Sequence, residues 1–153
     1  MATSAAGRGA AMAGPTLIQR AAMLFGVIFL VVGVVGFIPG LTTDYDRLGT
    51  FGDEGAKLLG IFGGNWIENI VHLAYGVGGL MLAKTWKGAK QYFVLGGVVY
   101  LVVAALGIVT GVHHDANLLA INGASNVLHV VLGVAMVGIG LVLGKDEVVV
   151  ADR

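Results

Sequence analysis

The chain contains no cysteine and only two prolines among its 153 residues. The absence of cysteine excludes disulfides, thiolate metal sites and a cysteine nucleophile. Charged residues are also scarce, at 12% of the sequence against roughly 25% in soluble domains. Because acidic and basic residues balance to a formal net charge of zero, the charge gives no indication of a nucleic-acid partner. Nucleophile-elbow, HExxH and phosphate-loop motifs are absent too, so no enzyme class is indicated.

Hydrophobic residues, in contrast, make up 57% of the sequence, and the mean hydropathy is +0.89. They form four runs long enough to cross a bilayer, at about 21–38, 66–83, 92–112 and 124–143. The runs predict an all-α integral membrane fold, a bundle of four transmembrane helices, with Trp66 and Trp86 at the two ends of the second. We assign residues 16–144 to this membrane domain, and 1–15 and 145–153 to cytoplasmic tails, the first of them disordered.

Basic residues are concentrated on one side of the predicted bundle. With four spans, both termini and the second loop share a side, and that side carries Arg8, Arg20, Lys84, Lys87, Lys90, Lys145 and Arg153. Only Arg47 and Lys57 lie on the opposite side. By the positive-inside rule, both termini are therefore predicted to be cytoplasmic.

An internal repeat relates the two halves of the membrane domain. Residues 26–32 align with 97–103, so the third and fourth spans repeat the first and second as two tandem helical hairpins. Because each hairpin enters and leaves the membrane on one side, a pseudo-two-fold axis along the membrane normal is predicted to relate them. The match extends into the outer loops at 58–61 and 118–121, where we expect short interfacial helices or re-entrant turns.

The most informative pattern is an Asn-x-x-His-x-x-x-Gly motif that occurs in both hairpins. Its members are Asn69, His72 and Gly76, and then Asn126, His129 and Gly133. In a helix these spacings place each set on one face. Polar side chains are costly inside a membrane, so they must be bonded to the protein or hold a ligand. If the axis passes between the second and fourth spans, the two imidazoles face each other.

Three chemistries fit this pattern. The asparagines and histidines could bond across helices with no cofactor, and the residues favour this structural role. Alternatively, His72 and His129 could ligate haem b or a metal ion, with Gly76 and Gly133 leaving space for a macrocycle. Asn69 and Asn126 would then flank that site, and Glu68, one turn before His72, would be a further metal ligand or would orient the ring. A small transporter or channel would require an oligomer, because the inner half of each span is almost purely apolar.

A second, separate candidate lies in the third loop. His113, His114 and Asp115 offer imidazole and carboxylate groups and form a possible external cation site. Such a cluster is more often a solvated loop.

Several motifs carry a resemblance to a known family. They are GFIPG at 36–40, LLGIF at 58–62, NIVHL at 69–73 and Asn-x-x-His at 126–129. With them the chain, from about Arg20 to Leu143, resembles a family of small four-span bacterial membrane proteins, largely actinobacterial, catalogued only as a domain of unknown function. The resemblance implies a four-helix bundle in a bacterial plasma membrane, but no activity, ligand or catalytic residue.

We therefore expect a non-catalytic membrane protein, either a homo-oligomeric scaffold or an accessory subunit of a larger membrane complex. Its partners would be the lipid bilayer and those subunits, with no nucleic acid. The alternative is a haem- or metal-binding redox or sensor protein that uses His72 and His129.

Overall fold

The computed structural model describes residues 14–52, 55–111 and 116–145. It is mostly helical, as predicted. The helices are α1 (Leu17–Val35), α2 (Trp66–Leu82), α3 (Trp86–Thr110) and α4 (Gly123–Val142). A small antiparallel sheet lies between α1 and α2, with strands β1 (Thr42–Thr43), β2 (Lys57–Leu58) and β3 (Phe62–Gly63) in that order. Short 3-10 turns occupy Tyr45–Arg47 and Leu143–Lys145.

Three of the helices are long and apolar enough to cross a bilayer. They are α1 with 19 residues, α3 with 25, and α4 with its 3-10 extension, which together have 23. This result supports the membrane class that the composition predicts. Helix α2 has 17 residues, roughly 25 Å at 1.5 Å per residue, so its length alone does not establish a fourth span.

Two helices have bounds that differ from those of the predicted spans, for local reasons. The third helix begins at Trp86 instead of near residue 92, because the Thr85 side chain accepts a hydrogen bond from the Gly88 N–H (3.0 Å) and caps it there. Trp86 is therefore the first residue of α3. The first helix ends at Val35, three residues before the predicted Ile38, because the next residues form tight turns onto the last helical carbonyls.

Each hairpin is held together by close backbone contact between its two helices. A Cβ atom added to Gly26 in α1 would lie 3.0 Å from the Gly76 carbonyl oxygen in α2. In the second hairpin, a Cβ atom added to Gly97 in α3 would lie 2.8 Å from the Gly133 carbonyl oxygen in α4. Glycine at these positions lets the helices approach, and van der Waals packing of this kind is what holds helices together in lipid.

The two hairpins meet across a cluster of aromatic rings. Phe29 of α1 lies 5.5 Å from Tyr75 of α2 and 5.6 Å from Tyr100 of α3, measured between ring centroids. Tyr75 and Tyr100 also contact each other edge to face at 5.1 Å. Many large apolar side chains on the opposite helix faces are exposed, among them Val109 at 83%.

The two loop segments that match in the repeat, 58–61 and 118–121, form turns and not the helices that were one of the two expectations. Residues 58–61 form the tight turn between β2 and β3, where Leu59 and Gly60 both have positive φ (52° and 73°). Residues 118–121 form a turn before α4, with Ala120 also at positive φ (54°). Gly63 of β3 packs directly on the Ala120 carbonyl, so the two loops lie against each other.

Candidate functional site

Two asparagines fix the helix ends from which the site is built. Asn65 caps α2 by accepting a hydrogen bond from the Glu68 N–H, and Asn122 caps α4 by accepting one from the Ser125 N–H, both at 2.9 Å. Neither was recognised as a cap in the sequence. The signal was present, because each Asn stands directly before an apolar helical run, and Asn65 has a Glu three residues later.

The motif asparagines, in contrast, serve packing within their own hairpins. Asn69 is 3% exposed and its amide lies against Gly36, just beyond the end of α1. Asn126 lies against Gly107 of α3, where its amide can donate to the Ala104 carbonyl at 3.1 Å. Each amide thus fills the gap that a glycine leaves on the neighbouring helix.

Glu68 and the two motif histidines come together between the hairpins. Glu68 and His72 lie one turn apart on α2, and α4 supplies His129. One ligand atom from each of the three lies within 4.8 Å of the others. Across the bundle, Glu68 Oε1 and His129 Nε2 lie 3.9 Å apart. Sequence reasoning paired Glu68 with His72 along one helix, whereas the tertiary structure also places it beside His129 across the bundle.

Glu68 and His129 are buried, His72 is partly buried, and each of the three has one polar atom without a partner among the described residues. Glu68 is 7% exposed and His129 is 5% exposed. Within the described ranges, Glu68 Oε2, His72 Nδ1 and His129 Nδ1 have no hydrogen-bond partner. Each buried polar group without a hydrogen bond lowers the free energy of unfolding by about 1–3 kcal/mol. Three such groups would lower it considerably if these side chains had only a structural role.

A cavity lies on each side of the cluster, and Glu68, His72 and His129 line both. The larger, of about 120 Å³, extends under the β2–β3 turn and is also lined by Asn69 and Ser125. The smaller, of about 30 Å³, is lined mainly by aliphatic and tyrosine side chains: Val71, Tyr75, Val99, Tyr100, Val103 and Leu119. The larger cavity therefore brings two further polar side chains, Asn69 and Ser125, to the cluster, whereas the smaller adds only the two tyrosines to aliphatic walls.

Aromatic rings hold the two imidazoles in place. His72 stacks on Phe29, with centroids 5.9 Å apart and an interplanar angle of 13°. His129 meets the edge of Tyr100 at 5.2 Å. These contacts orient the rings without using their nitrogen atoms, which leaves the nitrogens available to a ligand.

A haem does not fit between these histidines. A Cβ atom added to Gly76 would lie 2.5 Å from the γ-carbon of Leu30, and one added to Gly133 would lie 2.8 Å from that of Leu101. The space predicted for a macrocycle is thus filled by leucines of the partner helix. The adjoining cavities, about 30 and 120 Å³, are also far below the roughly 300–1,000 Å³ of pockets for larger ligands. A single metal ion, by contrast, fits within the cluster.

Two further features concern the predicted cation site in the third loop and the side chain of Ser125. His113, His114 and Asp115, the possible external cation site, lie outside the described residues. Ser125 precedes Asn126 as Glu68 precedes Asn69, so the alignment of the two motifs pairs Ser125 with Glu68. The structure places it in the same cavity as the cluster, 2% exposed and with its hydroxyl unpartnered among the described residues.

Comparison with known proteins identifies the family but no characterised relative. No curated protein and no solved structure matches the chain. One family model matches residues 19–142, which is most of the chain and includes all four helices except Leu17 and Ile18 at the start of α1. This match confirms the resemblance drawn from GFIPG, LLGIF and NIVHL. The chain belongs to the family described as Domain of unknown function (DUF4383).

Proposed function

We propose that the chain is a four-span membrane protein whose two hairpins hold one divalent transition-metal ion, with Glu68, His72 and His129 as its ligands. The observation that carries the proposal is the buried cluster itself, whose three ligand atoms lie within 4.8 Å of one another. Metal binding would engage buried ligand groups that otherwise lack partners. It also explains why Nδ1 of His72 and Nδ1 of His129 are buried without a hydrogen bond among the described residues.

The ligand types indicate the class of ion. Two imidazoles and one carboxylate form the ligand set of several zinc sites and of the non-haem iron(II) sites with two histidines and one carboxylate. Hard ions such as Mg²⁺ and Ca²⁺ prefer oxygen ligands, of which the cluster offers only Glu68. We therefore expect Zn²⁺, Fe²⁺, Co²⁺ or a neighbouring ion of the first transition row.

Contacts at one end of the bundle support the four-span topology. Gln19 near the start of α1 donates to the Ala83 carbonyl at the end of α2 (3.0 Å), and Lys90 of α3 donates to the Gly144 carbonyl after α4 (3.1 Å). The start of each hairpin thus lies beside its end, as two complete crossings require. The basic residues concentrate at this same end, which supports a cytoplasmic position for both termini.

Matching contacts in the two hairpins support the duplication. Gly26 lies against Leu80 of α2, and Gly97 lies against Val137 of α4, the positions that the sequence alignment pairs. The same pairing relates Gly36 with Asn69 to Gly107 with Asn126, and Gly76 with Leu30 to Gly133 with Leu101. A pseudo-two-fold axis between α2 and α4 explains why the two histidines come together.

The metal proposal is tested on protein purified in detergent and stripped with a chelator. Titration with Co²⁺ or Zn²⁺ should give one bound ion per chain, and Co²⁺ should develop visible absorption. Glu68→Gln, His72→Gln and His129→Gln should each lower the affinity more than about 100-fold, since outer-shell groups alone contribute roughly 10–100-fold. Tyr92→Phe, which alters a buried hydroxyl outside the cluster, is the matched control. No binding by the native chain, or unchanged binding by all three variants, would contradict the proposal.

Topology is tested independently by cysteine labelling, for which the cysteine-free chain provides no background. Lys57 in β2 lies before the start of α2, and Lys87 in α3 lies after its end. Both side chains are exposed, and each is replaced by cysteine in a separate variant. In intact cells an impermeant maleimide should label the first and not the second. Equal labelling of both would exclude a complete crossing by α2.

A second candidate function is the non-catalytic scaffold or accessory subunit, in a homo-oligomer or a larger membrane complex. The packing roles of Asn69 and Asn126 and the exposed apolar helix faces favour it. It predicts colourless protein that binds no ion, in which His72→Ala or His129→Ala lowers stability only. The metal titration separates the two candidates.

A further inference from the structure

Ser125 stands beside the cluster with an unused hydroxyl. Its backbone N–H is bonded to the Asn122 cap, so it is fixed in the first turn of α4. Its side-chain oxygen is buried and has no partner in the part of the chain that the structure describes. In the second hairpin it occupies the position that Glu68 has in the first, but its side chain is too short to take the role of Glu68.

A second unpartnered donor lines the same cavity. Asn69 Nδ2 is buried and unpaired among the described residues, and both Asn69 and Ser125 border the cavity of about 120 Å³. A water molecule needs roughly 10–15 Å³ of such space, so the cavity has room for a small polar molecule. Two hydrogen-bond donors facing it favour a molecule that accepts hydrogen bonds.

We infer that the metal site is open toward this cavity and there takes a small acceptor ligand, namely water, hydroxide or a small inorganic anion. Ser125 Oγ and Asn69 Nδ2 donate hydrogen bonds to that ligand. The inference rests on the metal binding proposed above. Three protein ligands leave at least one coordination position free, as in zinc sites that exchange ligands, whereas purely structural zinc sites use four protein ligands.

The position of the cavity indicates where the ligand enters. Its walls include Leu58, Leu59, Phe62 and Gly63, which belong to β2, β3 and the turn between them. These residues lie in the loop that the proposed topology places outside the membrane. The other cavity, beside Tyr75 and Tyr100, has only about 30 Å³ and is lined by no Asn or Ser side chain. The exchangeable ligand therefore reaches the ion from the outer side, under the β2–β3 turn.

The test uses the full chain loaded with Co²⁺ and titrated with azide while the visible spectrum is recorded. Azide should shift the cobalt absorption of the native protein with saturation. Ser125→Ala should bind Co²⁺ with unchanged affinity but bind azide about tenfold more weakly, because one hydrogen bond to a charged ligand is lost. Ser125→Thr, which keeps the hydroxyl, should restore azide binding. Val103→Ala, in the wall of the other cavity, should respond like the native chain.

The outcomes separate the two proposals. If the native chain binds no Co²⁺, the metal site itself is refuted before azide is added. If it binds Co²⁺ but azide leaves the spectrum unchanged, the site is closed and the open-site inference is overturned while metal binding stands. If Ser125→Ala binds azide as tightly as the native chain, the role given to Ser125 is wrong.

Discussion

Asn65 and Asn122 each donate a hydrogen bond to the other hairpin. Asn65 Nδ2 donates to the Leu118 carbonyl in the loop before α4 (2.7 Å), and Asn122 Nδ2 donates to the Ile61 carbonyl in the turn before α2 (2.9 Å). Each residue also caps its own helix. One side chain thus fixes both a helix start and the distance to the other hairpin, which sets the spacing of the histidines that follow.

Removing one of these side chains should lower the free energy of unfolding by two separate contributions, the helix cap and the donated hydrogen bond. Asn122→Ala loses the cap, worth about 0.5–2 kcal/mol, and the bond to Ile61, worth about 0.5–1.5 kcal/mol. Asn122→Asp keeps a cap acceptor and loses only the donated bond, so it should cost about half as much. Thermal unfolding in detergent measures both free energies. If the two variants are equally unstable, the cap makes no contribution.

Glycines at helix contacts should tolerate no methyl group, whereas glycines at the surface should. Gly76→Ala and Gly133→Ala would press on Leu30 and Leu101 and lower the free energy of unfolding by about 1–3 kcal/mol. Gly78→Ala in α2 is the matched control, because an added Cβ there would meet nothing within 4 Å. It should leave stability unchanged or raise it slightly. Equal losses at Gly76 and Gly78 would show that the contact does not limit packing.

Tyr75 and Tyr92 should respond differently to loss of their hydroxyl groups. Tyr75 Oη donates to the Gly96 carbonyl of α3 at 3.1 Å, so Tyr75→Phe removes a bond between the hairpins and should cost about 1 kcal/mol. Tyr92 Oη is buried without a partner among the described residues, so Tyr92→Phe should be neutral or stabilising. Unfolding curves of the two variants, recorded in the same detergent, check the difference. A larger loss for Tyr92→Phe would contradict this assignment.

The duplication proposed above predicts that the carboxylate of the site can be moved from α2 to α4. Glu68→Ser should abolish Co²⁺ binding at micromolar concentrations. Adding Ser125→Glu to that variant should recover at least about tenfold of the lost affinity, since the new carboxylate would face His72 as Glu68 faces His129. Isothermal titration of both variants measures the recovery. Ser125→Asp is the control, because its shorter side chain should recover less. If the double variant binds no better than Glu68→Ser, the two positions are not equivalent.

Local patterns explain which features could be predicted. Apolar runs predict helices α1, α3 and α4 because burial in lipid depends on composition and length alone. The start of α3 at Trp86 was missed, since its first residues include Lys87 and Lys90 and only the Thr85 cap reveals the boundary. The β2–β3 turn was also missed, because two-residue strands carry no detectable alternation.

The sequence by itself determined the membrane class, the family and the two Asn-x-x-His motifs, because each depends on residues close together in the chain. Only the tertiary structure decided what the motifs do. In the folded chain, Asn69 and Asn126 lie against glycines of the neighbouring element, and Leu30 and Leu101 occupy the space predicted for a haem. Glu68 lies beside His129. Helix spacing fixes which side chains share a face, but which faces meet depends on the packing of helices far apart in sequence.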